Sequence, residues 1–421
     1  PVLSKNWWTK NDFSKTTLKP PLGSGPYKIK SFEPGRFIVY ERVKNYWGQK
    51  VPLRVGQNNF DIIRYDYYRD QAVALEAFKA GLYDFRYENS SKDWATGYQF
   101  PARERGDVKI SALKHARPVG MQAFVFNIRK NKFKNYLVRK ALNYAFDFEW
   151  SNRQLFYGQY TRTSSYFENS ALAAIQLPSV EELKILKPLV GKIPKEVYTK
   201  IYKPAKSSGS GNNRQNLRKA AKLLKSAGWK IKNNNLVNIK SSKKMEIEFL
   251  LVSPAFERIV SPFIRNLRRL GIKSKIRTVD PAQYQNRVRN FDFDIIVSTF
   301  SQSLSPGNEQ RNYWHSSSAE KIGSRNLIGI NDPTIDFLVE KLISSKNRPA
   351  LLIASRALDR VLQWNHFVIP QWHIRSDRIA WWDKFGQPEK KPAFGIGFFS
   401  WWFDKKKQST LQPLSKISED K

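Results

Sequence analysis

Met245-Glu-Ile-Glu-Phe-Leu-Leu-Val252 opens a run that continues as FERIVSPFIRNLRRL at 256–270, IKSKIRTV at 272–279, PAQYQNRV at 281–288 and FDIIVSTF at 293–300. The first, third and fifth strings alternate or are continuously apolar over six to eight residues, as strands do. In the second, Ile259, Phe263 and Leu267 recur at helical spacing. The fourth, opening at Pro281, reads as a short helix. Strand, helix, strand, helix, strand with short connections predicts a mostly parallel sheet covered by helices, an α/β fold.

Working outward toward the N-terminus, Pro26–Phe32 and Arg36–Val43 alternate on either side of Glu33-Pro-Gly35 and predict a hairpin. Phe60–Tyr67 predicts a strand, Asp70–Ala80 a helix stopped by Gly81, and Tyr83–Tyr87, Val108–Lys114 and Met121–Ile128 further strands. Helices follow from Asn135 and Phe148. Lys203–Asn213 is a Ser-, Gly- and Asn-rich loop, and Lys230–Lys244 a solvated Lys-Asn texture. Toward the C-terminus, helices at Pro333–Ile343 and Ala350–Leu362 precede an apolar strand at Phe367–Trp372, a Trp- and Gly-rich tail, and a frayed end from Lys405. Helix-rich sequence bracketed by β-rich flanks predicts a discontinuous lobe of residues 1–117 and 374–421 around an inserted lobe, 118–373.

Composition narrows the function. The 421 residues include 27 Phe, 18 Tyr and 13 Trp, so the chain buries large cores and is not disordered, and its length calls for at least two packed units. The absence of Cys removes disulfides, thiolate metal sites and a Cys nucleophile. Lys plus Arg number 73 against 36 Asp plus Glu, a formal charge of +37. Either attraction to nucleic acid or an anionic surface, or a Lys-rich solvated surface, accounts for that charge. Basic residues such as Arg258, Arg265, Arg268 and Arg269 take outward helical positions, which favours the second.

No Walker sequence, Gly-x-Ser-x-Gly elbow or His-Glu-x-x-His is present, so no enzyme is expected. His115, His315, His366 and His373 are too scattered for a metal site, and no cofactor is expected. Asp292 and Asp294 flank Phe293 and read as strand-entry residues rather than a catalytic pair.

Several ordered strings carry a resemblance. Gly23-Ser-Gly-Pro-Tyr27, Tyr40-Glu-Arg42, Asn45-Tyr-Trp-Gly48, Ala74-Leu-Glu-Ala-Phe-Lys-Ala-Gly81, Phe126-Asn127, Val138-Arg-Lys-Ala-Leu142, Ala227-Gly-Trp229, Asp280-Pro-Ala-Gln-Tyr-Gln285 and Ser305-Pro-Gly-Asn-Glu-Gln310 occur in order. Together they resemble the YejA-like solute-binding proteins of peptide ABC transporters, in the oligopeptide- and dipeptide-binding family. That resemblance implies a type II periplasmic-binding-protein fold of two α/β lobes, truncated at the N-terminus, since family members carry a further stretch before the Gly-Ser-Gly-Pro string. It implies capture of an oligopeptide or modified peptide in an interlobe cleft, hinge closure, delivery to an inner-membrane ABC permease, and the periplasm as the compartment. No specific nucleic-acid partner is implied; a basic nucleic-acid or anionic-surface binder is the alternative.

Carried over residue by residue, the family's ammonium-anchoring Asp, four residues before a Pro, falls on Gln302 ahead of Pro306. Glu309 is the nearest acid, either a substitute for it from the same loop or a solvated, helix-starting Glu. The loop offers Phe300, Ser301, Ser303 and Ser305 to a peptide backbone. Asn127 at a strand end, and Tyr160 with Arg162 after the next helices, complete the expected ligand set.

Overall fold

The computed structural model describes residues 3–13, 15 and 18–411. Two compact units result: one from the described residues within 1–115 and 376–421, the other from 116–375.

In the first unit, β1 (Tyr27–Glu33), β2 (Phe37–Arg42) and β3 (Ile62–Asp66) form an antiparallel sheet in that order. A second sheet places the late strand Ser376–Trp382 between β4 (Phe85–Tyr87) and β5 (Val108–Lys114). Helix α1 (Gln71–Lys79), capped by the Asp70 carboxylate on the Ala72 and Val73 N–H groups, buries Leu75 and Phe78 with Tyr98, Val108 and Trp382. Trp401 closes a smaller cluster with Ile379, Phe385 and Ile396, so the Trp-rich tail is core-forming here. The stretch read as frayed from Lys405 begins as a short helix, Lys405–Thr410, capped by Asp404; residues 412–421 lie outside the described residues.

The second unit holds a five-stranded sheet in the order β11-β10-β12-β6-β13, comprising β6 (Met121–Phe126), β10 (Glu246–Leu251), β11 (Lys273–Thr278), β12 (Ile295–Phe300) and β13 (Val368–Pro370). The expected mostly parallel sheet holds for four of the five strands, with β6 the exception. β10, β11 and β12 are parallel, but β6 enters between β12 and β13 and is antiparallel to both. The reason is connectivity: β6 comes from outside the alternating 245–300 run, so no crossover helix fixes its direction relative to it, while β13, antiparallel to β6, runs with β12.

Both faces of this sheet are covered. Along β6, Met121, Ala123 and Val125 enter one core and Phe124 and Phe126 the other, the period-2 signature of a strand buried on both sides. One core is closed by α2 (Tyr136–Ala145), α4 (Arg214–Ser226) and α5 (Glu257–Arg269), where Phe249 meets Phe124 edge-on and Phe263 packs on it at a tilt. The other is closed by α8 (Pro333–Ile343) and α9 (Arg348–Trp364), with Trp314, Ile335, Leu338 and Leu358 fully buried. Each fully buried side chain of this kind contributes about 1.5–3 kcal/mol. Helices α3 (Phe148–Leu155), α6 (Pro281–Arg289) and α7 (Glu309–Trp314) connect the layers.

Candidate functional site

Parallel strands present their C-terminal ends at one edge, where open α/β sheets form binding crevices. In the second unit that edge gathers Val252 and Ser253 after β10, Phe300 and Ser301 at the end of β12, and Gln371 after β13. Because β6 is antiparallel to β12, its first residues join the same rim: Phe300 pairs with Met121 and Thr299 with Gln122. Gln122 donates through Nε2 to Gln371 Oε1 at 2.8 Å. A Cβ on Gly120 would lie 2.3 Å from the Phe300 carbonyl oxygen, so only glycine lets the incoming chain pass the rim there.

The same geometry corrects one expected contact. Asn127 stands at the far end of β6, beside Asp294, six residues and roughly 20 Å along the strand from the rim. It is fully buried, donating to the Phe291 and Phe293 carbonyls and accepting from Arg129. Asn127 is a structural bracket, and the chain does not bring it together with the loop after β12. Antiparallel insertion of β6 was invisible in the sequence, and it reverses which end of the strand reaches the rim.

The loop after Phe300 is itself tied. Trp314 Nε1 donates to Gln310 Oε1 at 2.8 Å, which fixes that amide and turns its Nε2 toward Gln302 Oε1 at 2.8 Å. Gln302 Oε1 therefore accepts from Gln310, and its Nε2, shielded from solvent, meets no acceptor. The oxygen expected to accept from an ammonium is thus already engaged by Gln310. Glu309 folds its Oε1 back onto the Gly307 N–H at 2.8 Å and Gln310 Nε2 at 3.1 Å, shaping its own loop. Ser303 does the same, accepting the Ser305 N–H at 3.2 Å. Ser301, Ser303 and Ser305 themselves lie along the loop's outer run, with Ser301 and Ser303 exposed and Phe300 buried beneath.

Tyr160 and Arg162 arrive from a different direction. The two-residue strand β7 (Thr161–Arg162) pairs with β14 (Trp372–His373), directly after the rim residue Gln371. Tyr160 packs with Phe156 and Trp372, and Phe256, just beyond β10, stacks on Trp372 at an interplanar angle of 19°. This aromatic group went unread in the sequence because its members are spread over more than two hundred positions. Arg162 turns its guanidinium inward over the Phe146 and Phe148 rings, 4.9 and 5.3 Å from their centroids. None of its three nitrogens meets an acceptor, and burial pulls its pKa down to about 10. A buried, unmatched cation is costly unless an anion or dipole reaches it.

The remaining titratable candidates are structural. Asp294 accepts from Lys132 Nζ at 2.6 Å and the Glu248 N–H at 3.0 Å, and Asp292 pairs with Arg287 at 2.9 Å, so the two carboxylates serve different neighbours. Among the described residues no group of three or more His, Asp or Glu gathers as a metal ion would require, and no helix is long and apolar enough to cross a membrane.

Comparison with known proteins sets this geometry in a family. Residues 1–321 match the family model described as bacterial extracellular solute-binding proteins, family 5. The chain is 46% identical, over 96% of its length and 67% of the relative's, to the probable peptide-binding protein YejA of Agrobacterium fabrum. It is 41% identical over its whole length, and 69% of the relative's, to the uncharacterized protein YejA of Escherichia coli. The chain thus spans about two thirds of the length of these relatives. The oligopeptide-binding protein AppA of Bacillus subtilis, solved with a nonapeptide, superposes with a TM-score of 0.69 at 21% identity, covering 91% of this chain and 67% of that one, a likeness of fold.

Proposed function

The chain belongs to the family 5 bacterial extracellular solute-binding proteins, and on that premise we propose that it is the capture component of a peptide ABC transporter. Its ligand is an oligopeptide or modified peptide, its compartment the periplasm, and its partner an ABC permease of the inner membrane. Relatives of this family are binding proteins, which fits a mechanism of capture and release without covalent chemistry and leaves the nucleic-acid alternative unsupported.

The observation that carries the reading is the rim of the second unit, which combines open polar groups with aromatic walls and lacks a catalytic constellation. Ser301, Ser303, Ser305 and the Gln302 amide offer hydrogen bonds of the kind that peptide backbone groups take, so affinity need not depend on ligand side chains. Tyr160 and Trp372 supply apolar surface beside them. Arg162 is the cation in reserve, and Glu309 the acid of the same loop. Asn127 is left out of the site. The two compact units correspond in this reading to the two lobes of the binder, residues 1–115 with 376–421 and residues 116–375.

Native mass spectrometry of protein purified without refolding tests the proposal. A retained mass that fragments as a peptide, and calorimetric binding of the same peptide to stripped protein, are expected. A chain that carries nothing and binds no member of a mixed peptide library would overturn it.

A further inference from the structure

Between Glu196 and Glu246 the sequence contains no acidic residue, while the same stretch holds thirteen Lys and Arg. Its elements are contiguous in the second unit. Helix α4 buries Leu217, Ala220 and Leu224 and leaves Arg214, Arg218, Lys222 and Lys225 exposed. A hairpin follows: β8 (Trp229–Lys232) and β9 (Asn235–Asn238) turn through Asn233 and Asn234, both at positive φ, as a two-residue hairpin requires. The hairpin region carries Lys230, Lys232, Lys240, Lys243 and Lys244, all exposed and none in an ion pair among the described residues. This contrasts with the neighbouring edge strand β11, where Lys273, Lys275 and Arg277 are matched by Glu246 and Glu248.

The placement is as informative as the charge. Leu236 donates its N–H to the Gly271 carbonyl and Met245 to the Leu236 carbonyl, which fixes the hairpin at the N-terminal ends of β10 and β11. That is the opposite end of the sheet from the rim proposed to hold the ligand. The hairpin also exposes two isoleucines among its lysines, Ile231 at 58% and Ile239 at 51%, and its one aromatic residue, Trp229, is buried. Surfaces that bind single-stranded nucleic acid pair cations with exposed aromatic rings on which bases stack. Cations beside exposed aliphatic side chains suit a lipid headgroup layer instead, where charge attracts and apolar groups enter the boundary region.

We propose that the face formed by α4 and the β8–β9 hairpin is a docking surface for the anionic phospholipid headgroups of a membrane. Such docking would hold the carrier near a membrane-embedded partner, and it uses residues separate from those of the ligand site.

Co-sedimentation of the full chain with phosphatidylcholine vesicles, with and without one quarter phosphatidylglycerol, tests this. Binding is expected only with the anionic lipid and should fall steeply between 50 and 300 mM salt, on the order of tenfold or more as screening grows. Lys230→Glu, Lys232→Glu and Lys240→Glu together should lower partitioning at least about tenfold. Ile231→Ser with Ile239→Ser should lower it severalfold at unchanged charge. Both variants keep wild-type melting and wild-type peptide binding, which separates failure of this surface from failure of the peptide-binding reading. Absence of anionic-lipid binding, equal lipid binding by the glutamate variant, or tighter salt-sensitive binding to duplex DNA that ignores the isoleucines would overturn the proposal.

Discussion

Gln302 and Glu309 sit seven residues apart in one loop, yet their hydrogen bonds give them opposite duties. The Gln302 amide is oriented by Gln310, itself oriented by Trp314, so that its Nε2 is left without an acceptor. Gln302→Leu should therefore weaken peptides with free and acetylated amino termini alike, by about 0.5–1.5 kcal/mol each, the loss of one neutral hydrogen bond. Glu309→Gln should weaken only free-amine peptides, by about 1–3 kcal/mol, if its carboxylate meets the ammonium. Calorimetry on the matched pair of peptides reads both, and equal losses with Glu309→Gln would remove it from the site. A second residue-scale expectation concerns Asp359, which is fully buried and accepts from Ser165 Oγ, the Tyr166 and Ala174 N–H groups and Gln363 Nε2. Burial pushes its carboxyl up to about 7, against the opposing pull of those donors. The folded state then holds a proton that the unfolded chain has released above its ordinary value of 3.8. The stability this group contributes is present below about pH 4 and lost as pH rises through 7. Denaturant midpoints measured from pH 4 to 8 should show that decline in the wild type and not in Asp359→Asn. The substitution should itself cost about 1–3 kcal/mol near neutral pH, because its amide would face a donor.

At the scale of elements, the helical layer over one sheet face is pinned by a buried ion pair. Arg360 on α9 meets Glu182, on the helix Val180–Leu186, at 2.8 Å, with side chains 1% and 3% exposed. Removing one partner strands the other charge, so Arg360→Met should cost about 3–5 kcal/mol. Replacing both, with Glu182→Leu added, should recover much of that loss, and urea midpoints of the three variants decide it. None of this pairing was legible in the sequence, since no local pattern links Glu182 to Arg360 across 178 residues. Elements whose signals are local were legible. The 70–80 helix with its Gly81 stop, the Glu33-Pro-Gly35 hairpin and the 245–300 alternation all rest on contacts within a few residues. The β8–β9 hairpin was missed because its strands have only four residues each, and the Trp229-Lys-Ile-Lys232 alternation is too short to stand out from the Lys-Asn texture around it. Asn233-Asn234 was the available cue, a dipeptide that tolerates positive φ between two short strands. The position of β6 lay beyond any local signal, and with it the true end of the strand that borders the rim. Gln302 and the serines were therefore placed correctly on a loop, while Asn127 was assigned to the wrong end of the sheet.

At the scale of the whole molecule, the two units differ in how their chain segments close. The second unit is one uninterrupted segment, 116–375, and its two ends are held by the same short loop. Glu168 accepts the Val119 N–H through its carbonyl at 2.8 Å and binds Arg375 Nη2 through its carboxylate at 3.0 Å, while Asn169 donates to the Arg117 carbonyl at 2.9 Å. Ends that converge on one loop, with cores on both faces of a complete sheet, describe a unit that needs no residue from elsewhere. The first unit is built differently: Ser376–Trp382 is the central strand between β4 and β5, so residues 1–115 alone lack the strand that joins those two and the Trp382 that fills their core. Expressed separately, residues 116–375 should melt cooperatively with native-like near-ultraviolet circular dichroism, whereas residues 1–115 should not fold until 376–411 is supplied in trans or through a short linker. Loss of cooperativity in the 116–375 segment would show that its sheet draws stability from the other segments. The asymmetry follows from strand order, because a central strand contributed by a distant segment makes folding wait on a long loop closure, and a sheet contained within one segment does not.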